Sequence, residues 1–259
     1  MGSLSDAAEI LYLDHILKTT PMAQTSIYVG LSTADPLDDA SGLAEPAGGA
    51  YARVLHNSWD TASSRATENT GTISFPEATG SWGTITHFGI FDSLSGGTML
   101  AHGSLSASKT IGSGDNASFQ DGAIDVSFNS GGQSTYLSNA MLDHMFQNTA
   151  YDTTSSLFVS LSKADPTDNA SGMDEPVGNN YSRVTHDTWD AAAAGASEND
   201  GAITFPQASA AWGTVTHFAI FDDSSSGNMI IYGALDNSRN IGTNDTPSFA
   251  DGALDVTID

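Results

Sequence analysis

The chain repeats itself, and the repeat constrains its fold more than any other feature. From about residue 31 the first half matches the second at a spacing of 130 residues. LSTADPLDDASG (Leu31 to Gly42) returns as LSKADPTDNASG (Leu161 to Gly172), and YARVLHNSWD (Tyr51 to Asp60) as YSRVTHDTWD (Tyr181 to Asp190). SWGTITHFGIFD (Ser81 to Asp92) returns as AWGTVTHFAIFD (Ala211 to Asp222), and DGAIDVSF from Asp121 as DGALDVTI from Asp251. The match reaches back to Leu13-Asp14-His15 against Leu142-Asp143-His144, with a slip of one residue. Such self-similarity means one folding unit used twice. The predicted units are residues 1–129 and 135–259. The intervening stretch, about 130–134, is rich in Gly and Ser and reads as a flexible linker. A unit of this length buries roughly two-thirds of its unfolded surface. Each copy is therefore expected to carry its own core and to fold alone.

Each copy opens with a helical pattern. Ala8, Ile10, Leu11, Leu13, Ile16 and Leu17 recur at close to helical spacing within Leu4 to Leu17, and the counterpart runs from about Tyr136 to Phe146. Beyond that the signals are those of short strands: Ser26 to Ser32, Tyr51 to Leu55, Gly71 to Phe75, Thr84 to Phe91, Thr98 to Leu105 and Ala123 to Phe128. Clusters of Gly, Asn, Asp, Ser and Pro separate them. No strand–helix alternation follows the first helix, which argues against a parallel α/β sheet. The predicted fold is mainly β: two tandem antiparallel β-sandwich or jelly-roll-like domains, each preceded by a short helix.

Charge narrows the partners. Thirty-one acidic residues stand against 7 basic ones, a formal net charge of -24. Nucleic-acid binding needs a basic footprint, and anionic membrane surfaces attract basic segments, so neither is expected as a partner. Strong acidity keeps proteins apart in solution and suits a salty medium that screens self-repulsion. There is no cysteine, which excludes disulfides and thiolate metal sites. No apolar run is long enough to span a bilayer. The first residues lack the pattern of a secretory signal, and folding in the cytoplasm of the producing cell is expected.

Several residues invite a chemical reading. His56 and His186 are equivalent, as are His87 and His217, but no HxxxH, HxH or HExxH spacing accompanies them. They read as strand histidines bonding a neighbour or lining an interface. No GxSxG motif suggests a serine nucleophile. Asp35, Asp38, Asp165 and Asp168 fall in matching polar loops and are weak candidates for Ca²⁺, which takes several hard oxygens. Their alternative role is to cap turns. Arg53 and Arg183 stand in short apolar segments of a chain poor in cations. Each is expected to pair with a fixed carboxylate or carbonyl, with Asp60 or Asp92 as the copy-one partner. Trp59, Trp82, Trp189 and Trp212 read as core, together with the repeated phenylalanines. No catalytic group, cofactor site or firm metal site is expected, and the chain is read as a non-enzyme.

The LSTADP run, the EPxGGxYARV segment, FPEATGSWG and SWGTITHFGIFD resemble a family of structural proteins of tailed-phage virions. Copy two keeps the family's Gly-Asp-Thr-Pro-like turn as Gly242 to Pro247, whereas copy one departs from it with Gly112 to Ala117. Members are head decoration (cement) proteins or tail-fibre-like proteins. The duplicated form is similar to capsid-stabilising proteins of marine siphophages. The resemblance implies a β-rich structural role without catalysis. It implies a virion component on the outer surface of the head, bound to the major capsid protein and to itself as a trimer or dimer. The alternative it leaves open is a tail-fibre, tail-tip or baseplate component that binds another tail protein or a host glycan.

Overall fold

The computed structural model describes residues 2–18, 20, 22–23, 25–128, 132–151 and 156–258. Copy one comprises β1 (Gly2–Leu4), α1 (Asp6–Leu17), β2 (Tyr28–Ser32), β3 (Val54–Leu55), β4 (Ala66–Glu68), β5 (Ile73–Glu77), β6 (Gly83–Phe91), β7 (Met99–Ile111), β8 (Asn116–Phe119) and β9 (Asp125–Ser127). Copy two comprises α2 (Thr135–Phe146), β10 (Phe158–Ser162), β11 (Val184–Thr185), β12 (Ala196–Glu198), β13 (Ile203–Thr204), β14 (Gly213–Phe221), β15 (Met229–Ile241), β16 (Ser248–Phe249) and β17 (Asp255–Thr257). The chain is mainly β in two tandem copies, as the repeat predicts, with the antiparallel sheets of sandwich domains.

Each helix begins where a serine permits it. The Ser5 and Ser134 side chains accept from the backbone N–H of Ala8 and Leu137, satisfying one of the free donors of the first turn. Both helices are 12 residues long, and no described helix is long and apolar enough to cross a membrane.

In copy one the sheet runs β3-β2-β6-β7-β1-β9-β4, and β5 pairs with β8 apart from it. Strand β1 had no strand signal in the sequence. It lies antiparallel to β7 and parallel to β9, so the first residues close the sheet. Copy two repeats the arrangement as β11-β10-β14-β15, β12-β17 and β13-β16. The β6–β7 hairpin shifts register between Ile85 and His87, and β14–β15 shifts between Val215 and His217. These matching bulges bend a long two-stranded arm in each copy.

The core departs from expectation. Buried residues of both copies form one continuous cluster, from Leu4 and Tyr12 through Trp59 and Phe146 to Val256. The two halves share a core rather than each enclosing its own. Trp59 of copy one packs on Phe146 of α2, with ring centroids 4.7 Å apart. Within the stretch read as linker, 130 and 131 lie outside the described residues. Gln133 and Ser134 are fully buried, and Gln133 bridges to Ile231 of β15. That part is sheet and helix cap rather than flexible tether.

Candidate functional site

Among the described residues, three polar arrangements bear on function. The first lies between the copies. Asp14 of α1 accepts from the backbone N–H of Ala192 at 3.0 Å, and Asp143 of α2 accepts from that of Ala62 at 2.7 Å. Each helix thus pins a loop of the opposite copy. Beside them the rings of His15 and His144 stack, 4.9 Å apart and 22° from parallel. His15 Nδ1 accepts from Met22 N–H, and its Nε2 donates to the Tyr151 carbonyl, both at 3.0 Å. His144 Nδ1 accepts from Tyr151 N–H and its Nε2 donates to the Met22 carbonyl, both at 3.1 Å. A backbone N–H can only donate and a carbonyl can only accept, so these partners fix the neutral Nε2–H tautomer on both rings. The joint is close to twofold symmetric.

Arg65 breaks that symmetry. Its backbone N–H donates to Asn139 Oδ1 at 2.9 Å, and its guanidinium reaches the Gln133 carbonyl at 3.1 Å and Asp168 Oδ2 at 3.3 Å. The counterpart in copy two is Gly195, and both positions are left-handed, at φ 68° and 71°. A Cβ on Gly195 would stand 2.8 Å from Glu9 Oε2 and 3.1 Å from the Ile258 carbonyl oxygen, so a side chain there requires Glu9 to move, and the left-handed φ favours glycine.

The second arrangement answers the expectation for the arginines. Arg53 does not pair with Asp60 or Asp92. It forks onto Glu45, with Nε to Oε1 at 3.0 Å and Nη2 to Oε2 at 2.7 Å. Its Nη1 donates to the carbonyls of Ser93 and Gly96, and its guanidinium lies 3.3 Å over the Phe91 ring. Tyr51 donates to Glu45 Oε1 at 2.7 Å and accepts from Leu31 N–H at 2.8 Å. Burial pushes the Tyr51 hydroxyl far above its ordinary pKa, so it remains a donor. Copy two reproduces this set with Arg183, Glu175, Tyr181 and Phe221. The planar fork and the aromatic face explain why arginine rather than lysine stands here. Asp60 instead accepts from Thr70 Oγ1 and Asp92 from Thr98 N–H, both within copy one.

The third arrangement is confined to copy one. His87 Nδ1 lies 2.9 Å from Thr86 Oγ1, and its Nε2 stands 3.8 Å from Asp35 Oδ1. His102, on the neighbouring strand, donates from Nε2 to Asp38 Oδ1 at 2.8 Å, and its Nδ1 is 3.9 Å from Asp35 Oδ1. In copy two Tyr232 replaces His102. There His217 keeps its bond to Thr216, while Asp168 is held by Arg65 and Thr135. Asp35 and Asp165 also cap turns, accepting from Leu37 and Thr167 N–H. The four aspartates of the calcium expectation are thus engaged separately, and neither loop gathers the oxygens Ca²⁺ wants.

The tryptophans are buried, with Trp59, Trp82, Trp189 and Trp212 at most 5% exposed. Trp82 and Trp212 donate from Nε1 to the carbonyls of Gly49 and Asn179. His56 and His186 each stand edge-on to a tryptophan, with Nε2 buried and unpartnered, and burial lowers both pKa values. Residue reasoning marked Glu45 only as a loop carboxylate and missed its pairing with Arg53, and it missed Tyr51, Arg65, His102 and the His15–His144 stack. The repeat itself marks some of these, because Glu45, Tyr51 and His15 recur as Glu175, Tyr181 and His144.

Comparison with known families decides the kinship. A sequence model of the family described as Podophage GP4 fiber I protein gp80 matches residues 3–127 and again 132–257. The chain belongs to this family. Each structural copy coincides with one match to the GP4 fiber I family, so the repeat seen in the sequence is a tandem pair of whole family domains. Membership makes the chain a structural, fibre-like protein of a phage virion. No curated protein matches it.

Proposed function

We propose that this chain is a non-catalytic fibre component of the phage tail, acting through contacts with its own copies and with a neighbouring tail protein. The observation that carries the reading is the double match to a fibre family by two copies that share one core. A fused pair presents most of its surface twice on two copies joined through one core. Repeated weak contacts between such bodies become durable by raising effective concentration. The polar networks fit this role. Arg53 and Glu45 spend their bonds on loops of their own copy, and His15 and His144 spend theirs on the joint. The acidity of the chain keeps neighbouring virions and packaged DNA from adhering to it.

A second reading, decoration of the outer head surface through the major capsid protein, draws on the sequence resemblance and on the duplication. The two readings differ in number. Densitometry of purified virions against the major capsid protein measures copies per particle, and immunogold labelling locates them. A few dozen copies or fewer, with label at the tail, is the expected result. Hundreds of copies, with label over the head, would replace the fibre reading by decoration.

A further inference from the structure

The cluster of Asp35, His87 and His102 plays no part in the joint or in the arginine clamps. It lines a hollow of about 330 Å³ together with Gly2, Ser3 and Ser104. His87 on β6 stands diagonal to His102 on β7, because His87 pairs with Ser104 and Gly89 with His102. Both rings therefore project from the same face of the sheet.

The hydrogen bonds on the far side of each ring determine what faces the hollow. Asp38 accepts from His102 Nε2, which leaves Nδ1 as a bare lone pair. That nitrogen is buried and without a hydrogen-bond partner. When His87 donates from Nδ1 to Thr86 Oγ1, its Nε2 likewise offers a lone pair toward Asp35. A carboxylate or hydroxyl holding the far nitrogen of an imidazole is the usual way a metal-binding histidine is oriented. Two imidazoles and one carboxylate suit Zn²⁺ and related borderline ions rather than Ca²⁺.

We propose that copy one binds a single Zn²⁺-like divalent ion through His87 Nε2, His102 Nδ1 and Asp35, with Asp38 as the positioning residue. Among the described residues no group of three His, Asp or Glu side chains stands at metal-binding spacing, so the site forms only by rearrangement. The ring nitrogens lie 3.8 and 3.9 Å from Asp35 Oδ1, where a tetrahedral site with ordinary Zn–N and Zn–O bonds needs about 3.3 Å. The Asp35 side chain is 56% exposed, so drawing its carboxylate inward exchanges the bond that Oδ1 accepts from Leu37 N–H for the ion and leaves the core packing alone. The large negative charge of the chain raises the local concentration of cations at such a hollow. Copy two supplies an internal control: with Tyr232 in place of His102 and Asp168 held by Arg65, it lacks the donor set. The stoichiometry is therefore one ion per chain, not two.

Calorimetric titration of the full chain with Zn²⁺, and the visible spectrum with Co²⁺ as a probe, test this. The expected result is one tight site per chain, with Co²⁺ giving the intense bands of a tetrahedral complex. His102→Tyr, which installs the residue that copy two already accommodates, abolishes the tight site while leaving the metal-free melting temperature near that of the parent. Asp38→Asn weakens binding by about 10- to 100-fold, and His217→Ala leaves it unchanged. Absence of a tight site in the parent overturns the proposal. So does a tight site that survives His102→Tyr, or two equivalent sites per chain.

Discussion

His15 and His144 hold each other's copy. Each accepts a backbone N–H from its own copy at Nδ1 and donates from Nε2 to a carbonyl of the other, at Tyr151 and Met22. Both side chains are almost completely buried. Removing either ring strands a buried backbone group of Met22 and a half-buried one of Tyr151, at about 1–3 kcal/mol for a fully buried group and less for the other. His144→Ala is expected to destabilise the full chain by about 2–4 kcal/mol in denaturant melts. Because the stacked rings share partners, His15→Ala with His144→Ala should cost less than the sum of the two, by more than about 0.5 kcal/mol. Strict additivity would mean that the stack contributes nothing of its own.

The arginine clamp makes a second prediction. Arg53 is 6% exposed and Glu45 24%, so Arg53→Ala leaves a mostly buried carboxylate with Tyr51 as its remaining side-chain partner. Removing one member of a fully buried pair costs about 3–5 kcal/mol. With Glu45 a quarter exposed, the expected loss is about 2–4 kcal/mol. Arg53→Lys should recover less than half of it, because an ammonium cannot fork onto the carboxylate while reaching two carbonyls over the Phe91 ring. Equilibrium unfolding of the two variants measures both, and full rescue by lysine would refute the fork argument.

Stability should fall on both sides of neutrality, for separate reasons. On the acid side, burial lowers the pKa of His56 and His186 below the ordinary 6.5. The unfolded chain then binds protons more readily than the folded one. Stability contributed by the neutral rings is complete above about pH 6.5 and is lost as pH falls toward the depressed folded values. On the alkaline side, burial raises Tyr12, Tyr51, Tyr151 and Tyr181 above the ordinary 10. Their contribution is complete below about pH 10 and is lost as pH rises beyond it, since only the unfolded chain then ionises. Unfolding free energies measured from pH 5 to pH 11 check this. His56→Gln with His186→Gln should flatten the acid limb and leave the alkaline limb unchanged.

What the sequence revealed depended on the range of the interaction. The strands at Ser26 to Ser32 and Thr84 to Phe91 announce themselves by local alternation, and both form within a few residues of those bounds. Strands β4 and β8 carry no apolar alternation. Ala66–Glu68 and Asn116–Phe119 are strands because β9 and β5 offer them partners. Strand β1 depends in the same way on β7 and β9. The Arg53 pairing was half legible: a scarce cation kept in both copies signals a fixed partner, but a choice between Glu45 and Asp92 needs the path of the loop between them. The shared core was not legible at all. Residues such as Trp59 and Phe146 look equally well suited to two separate interiors, and only the placement of α2 against copy one decides between them.

That shared core leads to the prediction that most sharply separates one folding unit from two. Trp82 is 3% exposed, edge-on to Tyr51 and Phe75, with Nε1 bonded to the Gly49 carbonyl. Trp82→Ala is expected to cost about 3–5 kcal/mol, the usual loss for a large buried aromatic. If the copies were independent, the damage would remain in copy one, and amide exchange in β14 would be untouched. With α2 packed against Trp59, and Asp143 and Asp14 pinning opposite loops, loss of copy one removes part of the surface that supports copy two. Hydrogen exchange of Trp82→Ala should therefore show protection falling in β14 as well as in β6, by similar free energies. The parent should unfold in one transition whose calorimetric and van't Hoff enthalpies agree. Loss of protection confined to β6, or two resolved transitions in the parent, would mean that the contacts between the copies are too weak to make them fold as one.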